Sequence, residues 1–395
     1  MKENGKCCLL MGVYYMIICI VFSFAAYYLY LQGFTSRQTG LIISSSCVVG
    51  AFLQPVSGRL ADSDPKWSWK NQLLLLSALA LAVSMLRIFM DGLIWEGACY
   101  ILLFVLVLVM MPLVNSSCFY YKDRGISVDY GVVRGIGSIS YAATSLLFGW
   151  LTVVAGPQVL ALCLAALFAL LLAAAFIMPL AAGEAHNVRP AEIKDEQGTK
   201  NFISAYPAVI LMAAGITLGC VFHNMVATYM FDIMKEAGGD SGTMGTAIAI
   251  GGAVELPALF LYTRIKEKSG LSAAALICIG CLMFVVKGVL LAAASGVVMI
   301  YFIQLLQGPS YGIVTAAKAA YAHEAAAAGD ETTGQAVMSM TDSFSIVAGS
   351  MLGGFLLSGG SAGRMLIAGT AMAAAGSIIT IIAAKKGGIG GLKNE

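Results

Sequence analysis

Twelve apolar runs follow one another along this chain, each near the ~20 residues an α-helix needs to cross a bilayer. They read as 9–31, 39–61, 71–91, 93–121, 129–154, 158–181, 202–234, 241–265, 271–293, 297–321, 333–358 and 364–384, numbered here as spans 1 to 12. A soluble fold cannot bury so much. Of the 395 residues 59% are hydrophobic and only 11% charged, where a soluble domain carries ~25% charge. The expected fold class is an all-α membrane protein with twelve transmembrane helices. Lys2 and Lys6 before the first run imitate a signal peptide, but 9–31 is too long for its apolar core and reads as span 1. A net charge of +2 gives no signal for nucleic acid.

The one long polar stretch, 183–200, holds Glu184, Arg189, Glu192, Lys194, Asp195, Glu196 and Lys200. It divides the spans six and six, so the expected domains are 1–182, a cytoplasmic linker over 183–201, and 202–395. Landmarks repeat between the halves: Pro55 and Pro257 lie 202 apart, Arg87 and Lys287 200, Pro112 and Pro309 197, Gly131 and Gly334 203. Two pseudo-symmetric six-helix bundles are expected, an architecture that places a substrate site near mid-membrane between its halves. Sixteen Lys and Arg residues fall on the side of the N-terminus, against Arg37, Lys235 and Arg364 on the other. The positive-inside rule then puts both termini in the cytoplasm of a cell with this protein in its plasma membrane.

Four of the 23 basic residues remain inside spans: Arg87, Arg134, Lys287 and Lys318. Arg134 lies near the start of span 5, where Gly131, Gly135, Ser138, Ala142, Ser145 and Gly149 recur at spacings of three and four and share one helix face. Small residues let helices approach closely in lipid. An arginine at such depth costs at least ~2.5 kcal/mol unless it meets a partner or a wet cavity. Arg134 therefore reads as part of a solute pathway, the alternative being an anchor at the helix start. Glu255, two residues before Pro257 in span 8, is the candidate proton carrier, with Lys287 as the nearby base. The alternative is a static Glu255–Lys287 pair. His223 and Asn224 in span 7 are candidates for substrate or proton contact, or for packing alone. Asp342 in span 11 pairs with Lys318 or joins the proton path, while Lys318 can equally snorkel. Asn115, Gln304, Gln307 and Tyr311 supply uncharged polar groups for a hydroxylated solute. Tyr14, Tyr15, Tyr27, Tyr28 and Tyr30 crowd span 1 as anchors or cavity lining.

No P-loop or nucleotide fingerprint occurs, and His186, His223 and His323 lack metal-ligand spacing, so no cofactor, metal or enzymatic chemistry is expected. Cys278 and Cys281 form a CxxC inside an apolar run, which reads as packing.

With twelve spans, a central linker and Gly58-Arg59-Leu60-Ala61-Asp62 at the end of span 2, the chain resembles the major facilitator superfamily. Gly58 and Asp62 match the front of that superfamily's gating motif, whose later basic residues give way here to Ser63-Asp64-Pro65-Lys66. Within it the chain is similar to the oligosaccharide–proton symporter branch typified by lactose permease, and to the nucleoside and phenylpropionate permeases. Thr39 through Gln54-Pro55 to Asp62 looks like span 2 of that branch. Tyr130-Gly131, Arg134 and Gly137 look like its span 5, where the arginine binds sugar and Tyr141 takes the place of a stacking aromatic. Glu255 falls on a substrate-contacting glutamate and Lys287 on an arginine. Ser116 stands where the branch has a carboxylate, His223 replaces an aspartate, and Gln307 and Ser310 stand near the missing proton-carrying pair. The resemblance implies alternating access, proton symport and a small polar solute such as an oligosaccharide or nucleoside, bound by Arg134, Tyr141, Glu255, Lys287, His223, Asn224, Asn115, Gln307 and Arg87. Proton coupling falls to Glu255, His223 and Asp342, and a monomer is expected. Four buried positives against Glu255 and Asp342 leave a second reading, an organic anion such as an aromatic carboxylate. Efflux of amphipathic compounds is a third. A membrane receptor or scaffold, the reading from another class, would carry an appended soluble domain.

Overall fold

A computed structural model describes residues 3–63, 65–89, 92–122, 124, 126–156, 158–179, 202–325 and 330–387. Among these residues there are twelve helices long and apolar enough to cross a membrane: Glu3–Ser23, Ser36–Ala61, Trp69–Arg87, Leu93–Tyr121, Tyr130–Ala155, Val159–Phe176, Pro207–Thr228, Ser241–Ser269, Ala273–Ala292, Val297–Ala325, Thr333–Ser358 and Ala362–Lys386. Helices are the natural outcome, because hydrocarbon offers no partner for a backbone N–H or C=O and only intra-helical bonding satisfies both. Large apolar side chains point outward in every part of the chain, among them Phe52, Phe89, Ile94, Phe176, Phe260 and Phe302. In water such a surface would aggregate; against lipid tails it is at home. The molecule is a multi-pass integral membrane protein. The expected linker over 183–201 lies outside the described residues.

Contacts divide the chain into two compact units, Met1–Ala191 with Asp240–Ala249, and Glu192–Gly239 with Ile250–Glu395. Inside the first, span 1 packs on span 5, span 2 on span 4, and span 3 on span 6. Inside the second, span 7 packs on span 11, and span 9 on span 12, while Gly308 and Gly312 of span 10 lie against Val254 and Ala258 of span 8. The same three pairings thus recur at a shift of six.

Local signals set the helix starts. Asp129 caps span 5 by accepting from Val132 N at 3.1 Å, and Ser272 caps span 9 by accepting from Ala275 N at 3.2 Å. Asp240 and Thr243 cap each other at the head of span 8, at 2.7 and 2.8 Å. Such caps satisfy amide donors that the first helical turn leaves without partners.

Three spans depart from regular winding. Span 1 runs as an α-helix over Glu3–Ile18, opens into a π-helical turn over Cys19–Ser23, and resumes over Ala25–Leu31. Tyr100 donates to Val21 O inside that wide turn at 2.9 Å. Span 7, expected as one run, breaks at Tyr229 and continues as Met230–Glu236, with the Tyr229 hydroxyl on Ser350 O at 2.7 Å. Span 10 tightens into a 3-10 turn over Leu305–Gln307 and then widens into a π-helical turn over Gly308–Gly312.

The small-residue face of span 5 is only partly used. Gly131 is exposed and nothing lies within 4 Å of where a Cβ on Gly135 would stand. Ser145 and Gly149 are buried, and a Cβ on Gly149 would come within 2.8 Å of Ser241 O and 3.0 Å of Gly245 Cα. Close backbone approach is thus confined to the last three turns, where Thr152 Oγ1 also bonds Ser241 Oγ at 3.0 Å. The periodic pattern names a face without naming what lies on it.

Candidate functional site

In the first unit, span 5 carries Arg134 half-buried on its second turn. Its Nη1 donates to Ser138 Oγ at 2.8 Å, one turn onward, and its guanidinium carbon stands 4.4 Å from the Tyr15 ring centroid. Gly137 makes room for this, since a Cβ there would lie 2.9 Å from the Tyr15 ring. Tyr141, one turn beyond Ser138, shares a short hydrogen bond with Ser23, the last residue of the π-helical turn in span 1. Ser23 was not among the expected site residues. Its one signal is a lone hydroxyl within Ile20-Val21-Phe22-Ser23-Phe24. Asn115 is half-buried and accepts from the Tyr130 hydroxyl at 3.5 Å.

Arg87 lies apart from this group. Its Nε and Nη2 both donate to Glu96 Oε1, at 2.9 and 2.5 Å, and Tyr28 donates to the same oxygen at 2.9 Å. The rings of Tyr28 and Tyr100 flank its guanidinium at 4.8 and 5.5 Å. An apolar cleft lined by Ile20, Val21, Leu160, Ala161 and Leu164 reaches this cluster. The count of buried charges therefore changes: Glu96, left out of the sequence reading, is a third negative group and neutralises Arg87.

In the second unit four expected residues meet. Lys287 Nζ donates to Gln307 Oε1 at 2.7 Å, Gln307 Nε2 faces His223 Nδ1 at 3.5 Å, and the His223 ring stacks on Tyr311 at 4.0 Å. Glu255 is close enough to Lys287 and Tyr311 for Coulombic interaction with both. The irregular winding of span 10 brings Gln307 and Tyr311 onto one imidazole. Glycine lets it seat there: a Cβ on Gly308 would stand 2.8 Å from Val254 O, and one on Gly312 2.8 Å from Ala258 Cβ and 3.5 Å from Glu255 Cγ. Asn224 donates to Ser345 Oγ at 3.0 Å and to Cys220 O at 2.9 Å. Lys318 holds both oxygens of Asp342 at 2.5 Å. Gln304 is buried one turn before Gln307.

The chain His223–Gln307–Lys287 has a chemical consequence. Lys287 has only donors, so Gln307 must offer it the carbonyl oxygen and turn its amide N–H toward His223. Nδ1 of His223 is then an acceptor. A proton placed on Nδ1 would demand the carbonyl of Gln307 instead, and the amide would then meet the Lys287 ammonium donor to donor. Of the gating-motif pair, Gly58 has open space around it, and the Asp62 side chain lies outside the described residues.

A family model described as the MFS_1 like family matches residues 6–367. The chain belongs to the MFS_1 like family. As a member of the MFS_1 like family it is a transporter and not an enzyme. No curated protein matches the sequence. Among solved structures, the nucleoside transporter NupG and a point mutant of it are similar at 13% and 12% identity with TM-scores of 0.76 and 0.77. The alignments cover 98% and 97% of this chain and 99% and 100% of those chains. A POT family peptide transporter is similar at 11% identity and TM-score 0.73, covering 97% of each chain. A bacterial homolog of the human lysosomal transporter Spinster is similar at 14% identity and TM-score 0.67, covering 98% of this chain and 95% of the other. At such identities the likeness concerns the fold, which is the twelve-helix fold of the MFS transporters.

Proposed function

We propose that this chain is a secondary active transporter working by alternating access, a proton-coupled symporter of a small polar solute of the nucleoside or oligosaccharide kind. The observation that carries the reading is the hydrogen-bonded chain from His223 through Gln307 to Lys287, with Glu255 in its field. Protonation at His223 and the Gln307–Lys287 bond exclude each other, and an ammonium released from Gln307 turns to Glu255. A proton event thereby becomes a rearrangement among side chains of spans 7, 8, 9 and 10, which is what coupling requires. Substrate contacts fall to Arg134, Tyr141 and Asn115 in one unit and to Glu255, Lys287, His223, Asn224 and Gln307 in the other, with Asp342 as a further proton acceptor. The nucleoside transporters among the structural neighbours favour a nucleoside-like solute. The domains are those read from the sequence, 1–182 and 202–395, and the protein works as a monomer in the plasma membrane with both termini in the cytoplasm.

The test is uptake into proteoliposomes. Labelled uridine, adenosine and lactose are offered with and without an imposed pH gradient, inside alkaline. Accumulation driven by the gradient and lost in Gln307→Ala supports the reading. Uptake that ignores the gradient for every solute, or a Gln307→Ala variant with full accumulation, overturns it.

A further inference from the structure

We infer that the transported solute is an acid, a hydroxylated monocarboxylate of the sugar-acid class, whose carboxylate pairs with Arg134. This rests on the proton-coupled transporter reading and puts an acid in place of its neutral solute. The charges inside the spans almost cancel within each unit. Glu96 neutralises Arg87, Asp342 neutralises Lys318, and Glu255 acts on Lys287. Arg134 differs. Among the described residues of its unit no carboxylate bonds it; its contacts are the Ser138 hydroxyl and the Tyr15 ring. Neither carries a formal charge. A cation–π contact offsets only part of the cost of holding a half-buried guanidinium away from water.

The guanidinium has five N–H donors in one plane, and one N–H bond, from Nη1 to Ser138, is made. That planar fork matches a carboxylate, two parallel bonds at once. A neutral sugar or nucleoside would occupy the donors and leave the charge standing. The Ser138 hydroxyl lies at the fork. The bond to Ser138 bends the Arg134 side chain toward the level of Ser138, and Tyr141 follows three residues later, about 4.5 Å along the helix. Ser23 fixes the Tyr141 hydroxyl there. A six-carbon sugar acid spans that interval, its carboxylate on Arg134 and its hydroxyls toward Tyr141 and Ser23.

The experiment measures thermal stability of the purified full chain in phosphatidylcholine nanodiscs at constant ionic strength. D-glucuronate, D-galacturonate and D-gluconate are compared with glucose, galactose and uridine, since a ligand that binds only the folded state raises its midpoint. The acids are expected to raise it and the neutral compounds to fall short. Arg134→Gln should weaken acid binding by about ten- to a hundredfold, the loss of a charge-assisted pair, and Arg134→Lys should recover part. Equal stabilisation by acids and neutral compounds, no stabilisation by any acid, or wild-type acid affinity in Arg134→Gln would each overturn the assignment. So would stabilisation that appears only with phosphatidylglycerol, which would give Arg134 to a lipid phosphate. Flux of uridine or glucose without acid-dependent stabilisation sinks this inference and leaves the transporter reading intact. Acid binding without proton-driven flux of any solute would keep the carboxylate on Arg134 and overturn the proton coupling.

Discussion

A single side chain in the membrane is judged by what meets it. Arg87 and Glu96 are both buried, and Glu96 also accepts from Tyr28. Removing one member leaves the other charge without its partner. Glu96→Gln should therefore cost about 3–5 kcal/mol of stability, read as a lowered unfolding midpoint in detergent. Arg87→Met combined with Glu96→Leu should recover most of that loss, and a double variant as unstable as Glu96→Gln would show that the pair itself is not the cause. A second residue prediction concerns pH. Asp232 lies beyond the membrane-crossing helix Pro207–Thr228, on the short helix Met230–Glu236 that follows the break at Tyr229, and burial pushes its carboxyl up to about 6 from the usual 3.8. A raised acid holds its proton more tightly in the folded state, so its contribution is fully present below about pH 4 and is lost as pH rises through 6. Asp232→Asn should flatten stability over that window and stabilise at pH 7; an unchanged profile would remove Asp232 as the source. Residues of this kind were unevenly legible in the sequence. Lys318 and Asp342 were expected to pair, with snorkelling the alternative for Lys318, because Asp342 lies nine residues into span 11, where an ionised group stands out. Glu96 escaped notice because it sits three residues into span 4, where a carboxylate reads as the solvated end of a helix.

At the scale of a helix, the winding matters more than the hydropathy. The twelve spans were legible because each must be apolar for about 20 residues, a strong signal that no neighbour can override. The π-helical turns at Cys19–Ser23 and Gly308–Gly312 were not, since an extra residue in a turn leaves the apolar count unchanged. Yet these turns, with the 3-10 turn Leu305–Gln307, aim Ser23 at Tyr141, and Gln307 and Tyr311 at His223. Tertiary contacts decide them, above all the seat of Gly308 and Gly312 on Val254 and Ala258. Span 5 gives the matching experiment within one helix. Gly149→Ala would place a methyl group 2.8 Å from Ser241 O, and overpacking of that order costs about 1–3 kcal/mol. Gly135→Ala meets open space and should be neutral or stabilise by up to about 1 kcal/mol, because alanine loses less backbone entropy in a helix. Thermal unfolding of the two variants separates packed face from open face. Equal effects would mean that the small-residue pattern acts through helix propensity alone.

Across the whole chain, sequence offsets near 200 and the recurring pairings of spans describe one duplication, since 1 with 5, 2 with 4 and 3 with 6 return as 7 with 11, 8 with 10 and 9 with 12. What the duplication did not preserve is chemistry. The first half keeps a lone arginine on span 5; the second holds the His223–Gln307–Lys287 chain beside Glu255. On the proposed reading the first half contributes solute contacts alone, while the second joins solute contact to proton exchange. That division makes a prediction at the level of the transport cycle. Glu255→Gln removes the carboxylate to which a released Lys287 would turn, so the return step that loads and unloads a proton should fail. Exchange of solute across the membrane needs no net proton movement and should survive. In proteoliposomes, counterflow of labelled solute by Glu255→Gln should remain within about a few-fold of wild type, while accumulation against a gradient should fall by at least about tenfold, a loss of about 1.4 kcal/mol in the gradient the protein sustains. Counterflow and accumulation lost together would make Glu255 a binding residue rather than a coupling one, and accumulation kept intact would take it out of the cycle altogether.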